Sequence, residues 1–339
     1  MSTNDGSDMR INKEIRTLSK VVDVYFLGVG NYSEHNYARD NCREFILIEH
    51  KRNSVKAIVL HVLKFLKLQR KHKFHSIHII NEQLMIFFYL FLFQKNAVLD
   101  LFDSIFLKLS KPNEKYRFLK KLIYAPANTV LVTDENRRTL MPEFIKKKLI
   151  VLENYPYVFR ESKKKKTPYI KILYNGSLST SRGTGILKDL VNSSQEVKVI
   201  MAGWLNDQDT IDFSKHPSVD NRGTITQSEA TRVAAEEADY IMCCYEPNNQ
   251  NNINASPNKI FDAIQTNTPI IINSEVKISK FVADKKIGIV IDSFYQYDSE
   301  KMIKMLKEKK GTFAFDKDSK KKYSWENIES KLLAAHKLI

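Results

Sequence analysis

Short apolar runs alternate with helix-length segments along this entire chain, and few architectures accept that pattern. In the first half the runs near 21–27, 45–48, 74–80, 96–101, 130–133 and 150–152 read as strands. Segments near 9–19, 55–71, 82–93 and 113–124 read as helices between them, and Asp134 caps another. The second half repeats the alternation, with strands near 169–174, 197–202, 239–243, 269–273 and 287–291. Its helices fall near 184–192, 227–237, 257–267, 275–284 and 298–308, and a last one opens at Tyr323 and runs to about 339. Strands that read as near-continuous apolar runs are buried on both faces, and helical crossovers make them parallel. The pattern predicts doubly wound α/β domains.

The chain has 339 residues, more than one ordinary core organises, so two domains are expected. The run 161–168, four lysines ending in a proline, reads as the linker. The expected map is an N-terminal Rossmann-like domain over 1–160, a linker over 161–168, and a second Rossmann-like domain over 169–322. A C-terminal helix over 323–339 completes it. No window has the length and apolarity of a spanning helix, and the polar start shows no cleavable signal. Cys42, Cys243 and Cys244 form neither a disulfide framework nor a metal-binding spacing. These features point to the cytoplasm.

Charge is informative once divided. Residues 1–166 hold 31 Lys and Arg against 17 Asp and Glu, a net of +14, whereas 167–339 hold 23 against 22. Nearly all of the +15 therefore sits on the first half. Such a surface attracts phosphate-rich partners, an anionic membrane or a lipid diphosphate among them. The basic runs lack the interleaved aromatics of a stacking surface, so nucleic acid is not the expected partner.

The densest chemistry lies in Ala255-Ser256-Pro257-Asn258-Lys259-Ile260-Phe261-Asp262. Ser256 reads as an N-cap and Pro257 as the first helical residue, where a missing N–H costs nothing. Free N–H groups, the helix dipole and the Lys259 ammonium together suit a phosphate. Asp262, three residues past Lys259, lies on the same side and suits ribose hydroxyls. The bland alternative is a solvated lysine in an ordinary Ser-Pro helix start. A second grip tilts the balance. After the strand 169–174 comes Asn175-Gly176-Ser177-Leu178-Ser179-Thr180-Ser181-Arg182-Gly183, then a helix. Open α/β sheets place ligands in such a loop. Glycine lets backbone approach a pyrophosphate, and Arg182 can pair with two phosphate oxygens. The loop is neither a dinucleotide fingerprint nor a P-loop, since both spacings are absent.

The order Gly-Ser-Leu-x-x-x-Arg-Gly, Val199-Ile200-Met201-Ala202-Gly203, Arg222-Gly223-Thr224-Ile225, Ala238-Asp239-Tyr240-Ile241-Met242 and Ser256-Pro257-Asn258-Lys259-x-Phe261-Asp262-Ala263 resembles a known family. It is similar to the donor-binding half of GT-B glycosyltransferases of the group 1 (family 4) kind. The resemblance is strong over 169–292 and fainter over 8–156. It implies two Rossmann-like domains facing a cleft, with the C-terminal helix returning to the first domain. The implied reaction moves a sugar from a nucleotide-diphosphate donor to a lipid-linked or surface-glycan acceptor, with retained configuration. It also implies a place in bacterial polysaccharide assembly, at the inner membrane face.

By the resemblance, Arg182 and Lys259 are the catalytic basic pair. Gly176, Ser177, Thr224, Ile225, Asn254, Ala255, Ser256, Asn258 and Asp262 are donor-binding. Asn254 stands where the family usually carries a glutamate beside the donor sugar, and Asp262 is a shortened ribose carboxylate. No cofactor and no metal are expected, because fixed cations can stabilise the leaving diphosphate. On the acceptor side Asp100, His78 and Glu82 are candidates, with Asp103 as a catalytic candidate for orienting or deprotonating a hydroxyl. Asp103 also reads as a helix cap and His78 as a core histidine. One departure stands out: the family has a buried strand before the first helix, and no apolar run precedes Met9. Either that strand lies upstream or the sheet is completed differently. Two other readings remain open, a non-catalytic GT-B partner subunit and a GT-B sugar-nucleotide epimerase.

Overall fold

The computed structural model describes residues 1–92, 95–102, 104–108, 116–160 and 162–339. Two compact units share the chain, one of Met1–Asn154 with Ile328–Ile339 and one of Tyr155–Asn327.

The first unit begins with α1 (Met9–Leu18), capped by the Asp8 carboxylate, which accepts from the Arg10 and Ile11 N–H groups. Strand β1 (Tyr25–Val29) follows, later than the expected 21–27. Val21 and Val22 instead donate their N–H groups to Leu18 O in the turn that closes α1. Next come β2 (Glu44–Ile48), α2 (Val55–Lys71) and β3 (Ser76–Ile80). Then follow α3 (Met85–Leu92), β4 (Asn96–Leu101), α4 (Ile105–Lys108) and α5 (Arg117–Tyr124). The expected helix 113–124 is thus described from Arg117, and 113–115 lie outside the described residues. β5 (Thr129–Val132), α6 (Glu135–Thr139) behind its Asp134 cap, and β6 (Leu149–Val151) complete the alternation.

All pairings are parallel, β1 with β2 and β3-β4-β5-β6 in chain order. Residues 1–4 bond to both groups of strands. Met1 donates to His78 O at 2.6 Å and accepts from Ile80 N at 3.0 Å. Ser2 N donates to Leu27 O, and Val29 N donates to Asn4 O. A polar segment thus bridges the sheet with backbone alone, so no apolar run marks it. Gly28 permits the approach, since a Cβ there would lie 2.4 Å from Asn4 O. Successive strand residues face opposite sides. Phe26 and Leu47 pack with Ile11 and Ile15 of α1, whereas Leu27 and Ile48 pack with Phe65 of α2 and Phe88 of α3.

The second unit runs β7 (Ile170–Leu178), α7 (Thr184–Ser193), β8 (Val197–Leu205), α8 (Gln208–Phe213), β9 (Val219–Asn221) and α9 (Gln227–Glu236). It continues through β10 (Tyr240–Met242), α10 (Gln250–Ile253), α11 (Lys259–Thr266), β11 (Ile270–Asn273) and α12 (Ser279–Asp284). β12 (Gly288–Ile291), α13 (Ser299–Lys309), α14 (Lys317–Lys322) and α15 (Trp325–Ala335) follow, the last crossing from the second unit's residues into those of the first. The lysine run lies along this unit: Lys165 N donates to Glu236 O, and Lys164 Nζ to Thr268 Oγ1 at 2.8 Å. The parallel sheet has the order β12-β11-β10-β7-β8-β9. From β7 the chain winds one way to β9, then returns past β7 to wind the other way. The direction reverses between β7 and β10, which is where open α/β sheets bind ligands.

Candidate functional site

The loops that leave β7 and β10 both start at this reversal. Strand β7 ends in an exposed stretch through Gly176 and Ser177, and a short 3-10 turn, Thr180–Arg182, leads to α7. The turn is pinned from beneath. Tyr174 OH donates to Ser179 O at 2.8 Å and accepts from Ser179 N at 2.9 Å. Asp207 takes the Thr180 N–H at 2.7 Å. The loop after β10 is tied to it, because Glu246 N donates to Ser181 O at 2.9 Å. Tyr245 is fixed by two hydrogen bonds with the Asn273 amide: its N–H donates to Oδ1 at 2.9 Å and its carbonyl accepts from Nδ2 at 3.0 Å.

These ties set Arg182 flat on a ring, its Cζ 4.0 Å from the Tyr245 centroid. Its Nη1 is buried and makes no hydrogen bond among the described residues. Such stacking holds a guanidinium in place without neutralising it. Gly176 has φ +89°, and a Cβ there would sit 3.9 Å from Lys259 Nζ, so the lysine reaches across from α11 to the β7 loop. Among the described residues Lys259 forms no ion pair. Its pKa is lowered, first by burial; the thiol of Cys243 and the Asp262 carboxylate oppose this and Arg182 adds to it. Burial lifts the Cys243 thiol to about 11 although Lys259 and Arg182 both pull it down. Both cations therefore bear on the same point at the end of β10.

The approach to α11 differs from expectation. The α-helix starts at Lys259, with Asn258 at the N-cap in helical conformation and no side-chain cap. Ile260 N donates to Pro257 O at 3.2 Å and Phe261 N to Asn258 O at 2.8 Å. Pro257 thus opens a tighter three-residue turn, which moves the cap past Ser256. Asp262 is buried and accepts from Gln227 Nε2 at 3.3 Å. Asn254 is fully buried, and its amide nitrogen donates to Gln250 O and Oε1 at 2.8 and 3.0 Å. Ala255 beside it is buried. Ser177 is exposed and its Oγ accepts from Asn206 Nδ2 at 3.0 Å. Thr224 is exposed and Ile225 half-buried, on the segment before α9. The structure therefore gathers Gly176, Arg182, Lys259 and Asp262, and adds Tyr245, which sequence reasoning did not single out.

The described acceptor candidates of the first unit are engaged within that unit. Asp100 is fully buried and meets Arg10 through Nη2 at 2.9 and 3.0 Å and Nε at 3.1 Å. Burial works to raise its carboxyl, and the Arg10 charge together with His78 and Glu14 outweighs it, bringing it down to about 2. Glu14 is pushed up instead, by burial and then by Asp100. His78 stacks on His336, with Nδ1 3.0 Å from Nε2, and burial lowers both imidazoles. Glu82 is fully buried and accepts from Ser104 Oγ, Ile105 N and Tyr124 OH. Asp100 and Glu82 are thus engaged inside their own unit, where desolvation demands partners, whereas His78 Nε2 is buried and makes no hydrogen bond among the described residues. Ligand atoms of Glu14, His78 and Asp100 lie within 4.8 Å of one another. The positive charge between the carboxylates is already supplied by Arg10. Asp103 lies outside the described residues.

No protein-family model matches the sequence, and no curated protein does. Solved structures do match. HepE of Anabaena, crystallised with UDP and glucose, is 13% identical over 98% of this chain and 96% of its own, with a TM-score of 0.69. Sucrose-phosphate synthase of Thermosynechococcus elongatus is 12% identical over 97% and 92%, with a TM-score of 0.71. A glycosyltransferase of Rickettsia africae is 10% identical over 100% and 96%, with a TM-score of 0.68. At such identities the likeness defines the architecture, and the chain has the GT-B fold.

Proposed function

We propose that this chain is a glycosyltransferase that takes its sugar from a nucleoside-diphosphate donor, UDP-sugars foremost. The observation that carries the reading is the pair Arg182 and Lys259, neither with an ion-pair partner among the described residues, both within electrostatic reach of the Cys243 thiol just past β10, at the sheet's reversal. Two unneutralised cations beside a glycine backbone are costly unless an anion completes them. HepE, of the same fold, was solved with UDP-glucose as well.

In the reaction the bond between the anomeric carbon and the diphosphate oxygen breaks, and the departing oxygen gains charge. Lys259 and Arg182 meet that charge without reorganising, and removal of either is expected to cost about 10²–10³ in kcat. The acceptor hydroxyl attacks the anomeric carbon and passes its proton to the departing diphosphate oxygen. Retention of configuration, a metal-independent step and a lipid-linked or surface-glycan acceptor in bacterial polysaccharide assembly complete the reading. The basic first half suits work at the cytoplasmic face of an anionic membrane.

Titration calorimetry with UDP and GDP tests it on the wild type, Arg182→Ala and Lys259→Ala. Affinity unchanged in both variants sinks the proposal. A non-catalytic partner subunit is the second reading, favoured by Asn254, whose amide nitrogen turns back to Gln250. Slow hydrolysis of a UDP-sugar by the purified chain, abolished in Lys259→Ala, decides against it.

A further inference from the structure

We propose that the first unit docks on an anionic lipid surface through the layer of α2, α3 and α5, with apolar tips of α3 and α5 entering the headgroup region. This deepens the acceptor side of the reading above, and its geometry stands apart from the donor site. Parallel crossovers are right-handed, so helices that link strands laid down in one direction share a face of the sheet. α2, α3 and α5 obey this, packing Phe65, Phe88 and Ile123 into one core, while α1 packs on the other face. α3 touches both α2 and α5.

A surface helix of a globular protein turns polar residues outward. These do not. α3 buries Met85, Phe88 and Leu92 and exposes Ile86, Phe87 and Leu90, the last 81% open. α5 buries Ile123 and Tyr124 and exposes Leu122 and Phe118, the latter 75% open. Adjacent helices with large side chains turned out make a patch, not scattered single residues. The three helices carry charge of one sign. α2, α3 and α5 contain no Asp or Glu, while Lys56, Lys64, Lys67, Arg70, Arg117 and Lys121 are exposed on α2 and α5. Protein interfaces deplete lysine at an apolar centre. An anionic bilayer rewards both parts at once, lysines at the headgroups and apolar tips beneath them. No described helix is long and apolar enough to cross a membrane, so the contact is interfacial.

Co-sedimentation of the full chain with vesicles tests this. The wild type should pellet with phosphatidylcholine vesicles containing phosphatidylglycerol, not with phosphatidylcholine alone, and less as salt rises. Leu90→Ser with Phe118→Ser should lower partitioning about tenfold or more, with UDP calorimetry unchanged as the check on folding. The proposal is overturned by wild-type partitioning in the double variant. Indifference of the wild type to the anionic lipid also overturns it. So does a wild-type dimer that the double variant dissolves in sedimentation velocity, which makes the patch a self-association face. Vesicle binding without UDP binding in the wild type counts against the donor reading alone.

Discussion

Replacing Lys259 by methionine separates a phosphate-binding lysine from a structural one, because the two predict opposite signs. The ammonium is withdrawn from water and lies near Arg182, and Cys243, Asp262 and Cys244 do not offset the burial. An unpaired buried ion costs several kcal/mol, but this residue keeps a partial opening to solvent, so about 1–2 kcal/mol is the fitting figure. Methionine fills similar volume without the charge, so Lys259→Met should stabilise the ligand-free protein by that amount. For a unit of this size the melting temperature then rises by roughly 2–8 °C. Binding moves the other way. A hydrogen bond to a charged group contributes about 1.5–3 kcal/mol, so UDP affinity should fall about 10- to 150-fold. The UDP-induced rise in melting temperature should shrink accordingly. The pH dependence has a sign as well. The folded pKa lies below the usual 10.5, so the unfolded chain binds the extra proton. Stability should climb as pH rises from the depressed value toward 10.5, while UDP affinity falls across the same window. Thermal melts with and without UDP, plus calorimetry, measure all of this. A lower melting temperature in Lys259→Met together with unchanged UDP affinity refutes the reasoning.

Other expectations follow from the same geometry. Tyr245→Phe should keep the stacked Arg182 and near-normal UDP affinity, whereas Tyr245→Ala should weaken UDP binding about twofold to thirtyfold, since exposed to desolvated cation–π contacts contribute about 0.5–2 kcal/mol. Gly176→Ala should destabilise by about 1–2 kcal/mol through the positive φ and lower UDP affinity, both readable by calorimetry and melts. Asp100→Asn strips the charge partner from buried Arg10 and should cost about 3–5 kcal/mol in urea unfolding. Because the folded Asp100 pKa is near 2, its contribution should be present above the usual 3.8 and be lost as acid approaches 2, which an acid-unfolding series in the wild type and Asp100→Asn resolves.

Much of the second unit was legible because its strands are buried on both faces. Ile270–Asn273 and Tyr240–Met242 are buried throughout and mostly apolar, and Pro, Ser and Asn punctuate the chain between them. β9, α8, α10 and α14 were missed, being three- to six-residue elements without a full period to read. Residues 1–4 join the first unit's sheet by backbone bonds, which leave no side-chain pattern. At the site, Arg182 and Lys259 were readable from local chemistry. Tyr245 was not, since its stacking arises from ties between separate loops, through Ser181 and Asn273. The surroundings of the acceptor candidates were unreadable for a related reason. Strand ends were visible, but the partner that claims Asp100 sits 90 residues away. A clue existed: Arg10 and Glu14 fall one helical turn apart beside Ile11 and Ile15, where charges on a core-facing side must pair with something.

The most direct test is a crystal structure of this chain with UDP. The account predicts a diphosphate whose oxygens lie about 3 Å from both Lys259 Nζ and Arg182 Nη1, over the Gly176 backbone. A diphosphate held by other residues, with those two cations untouched, contradicts it.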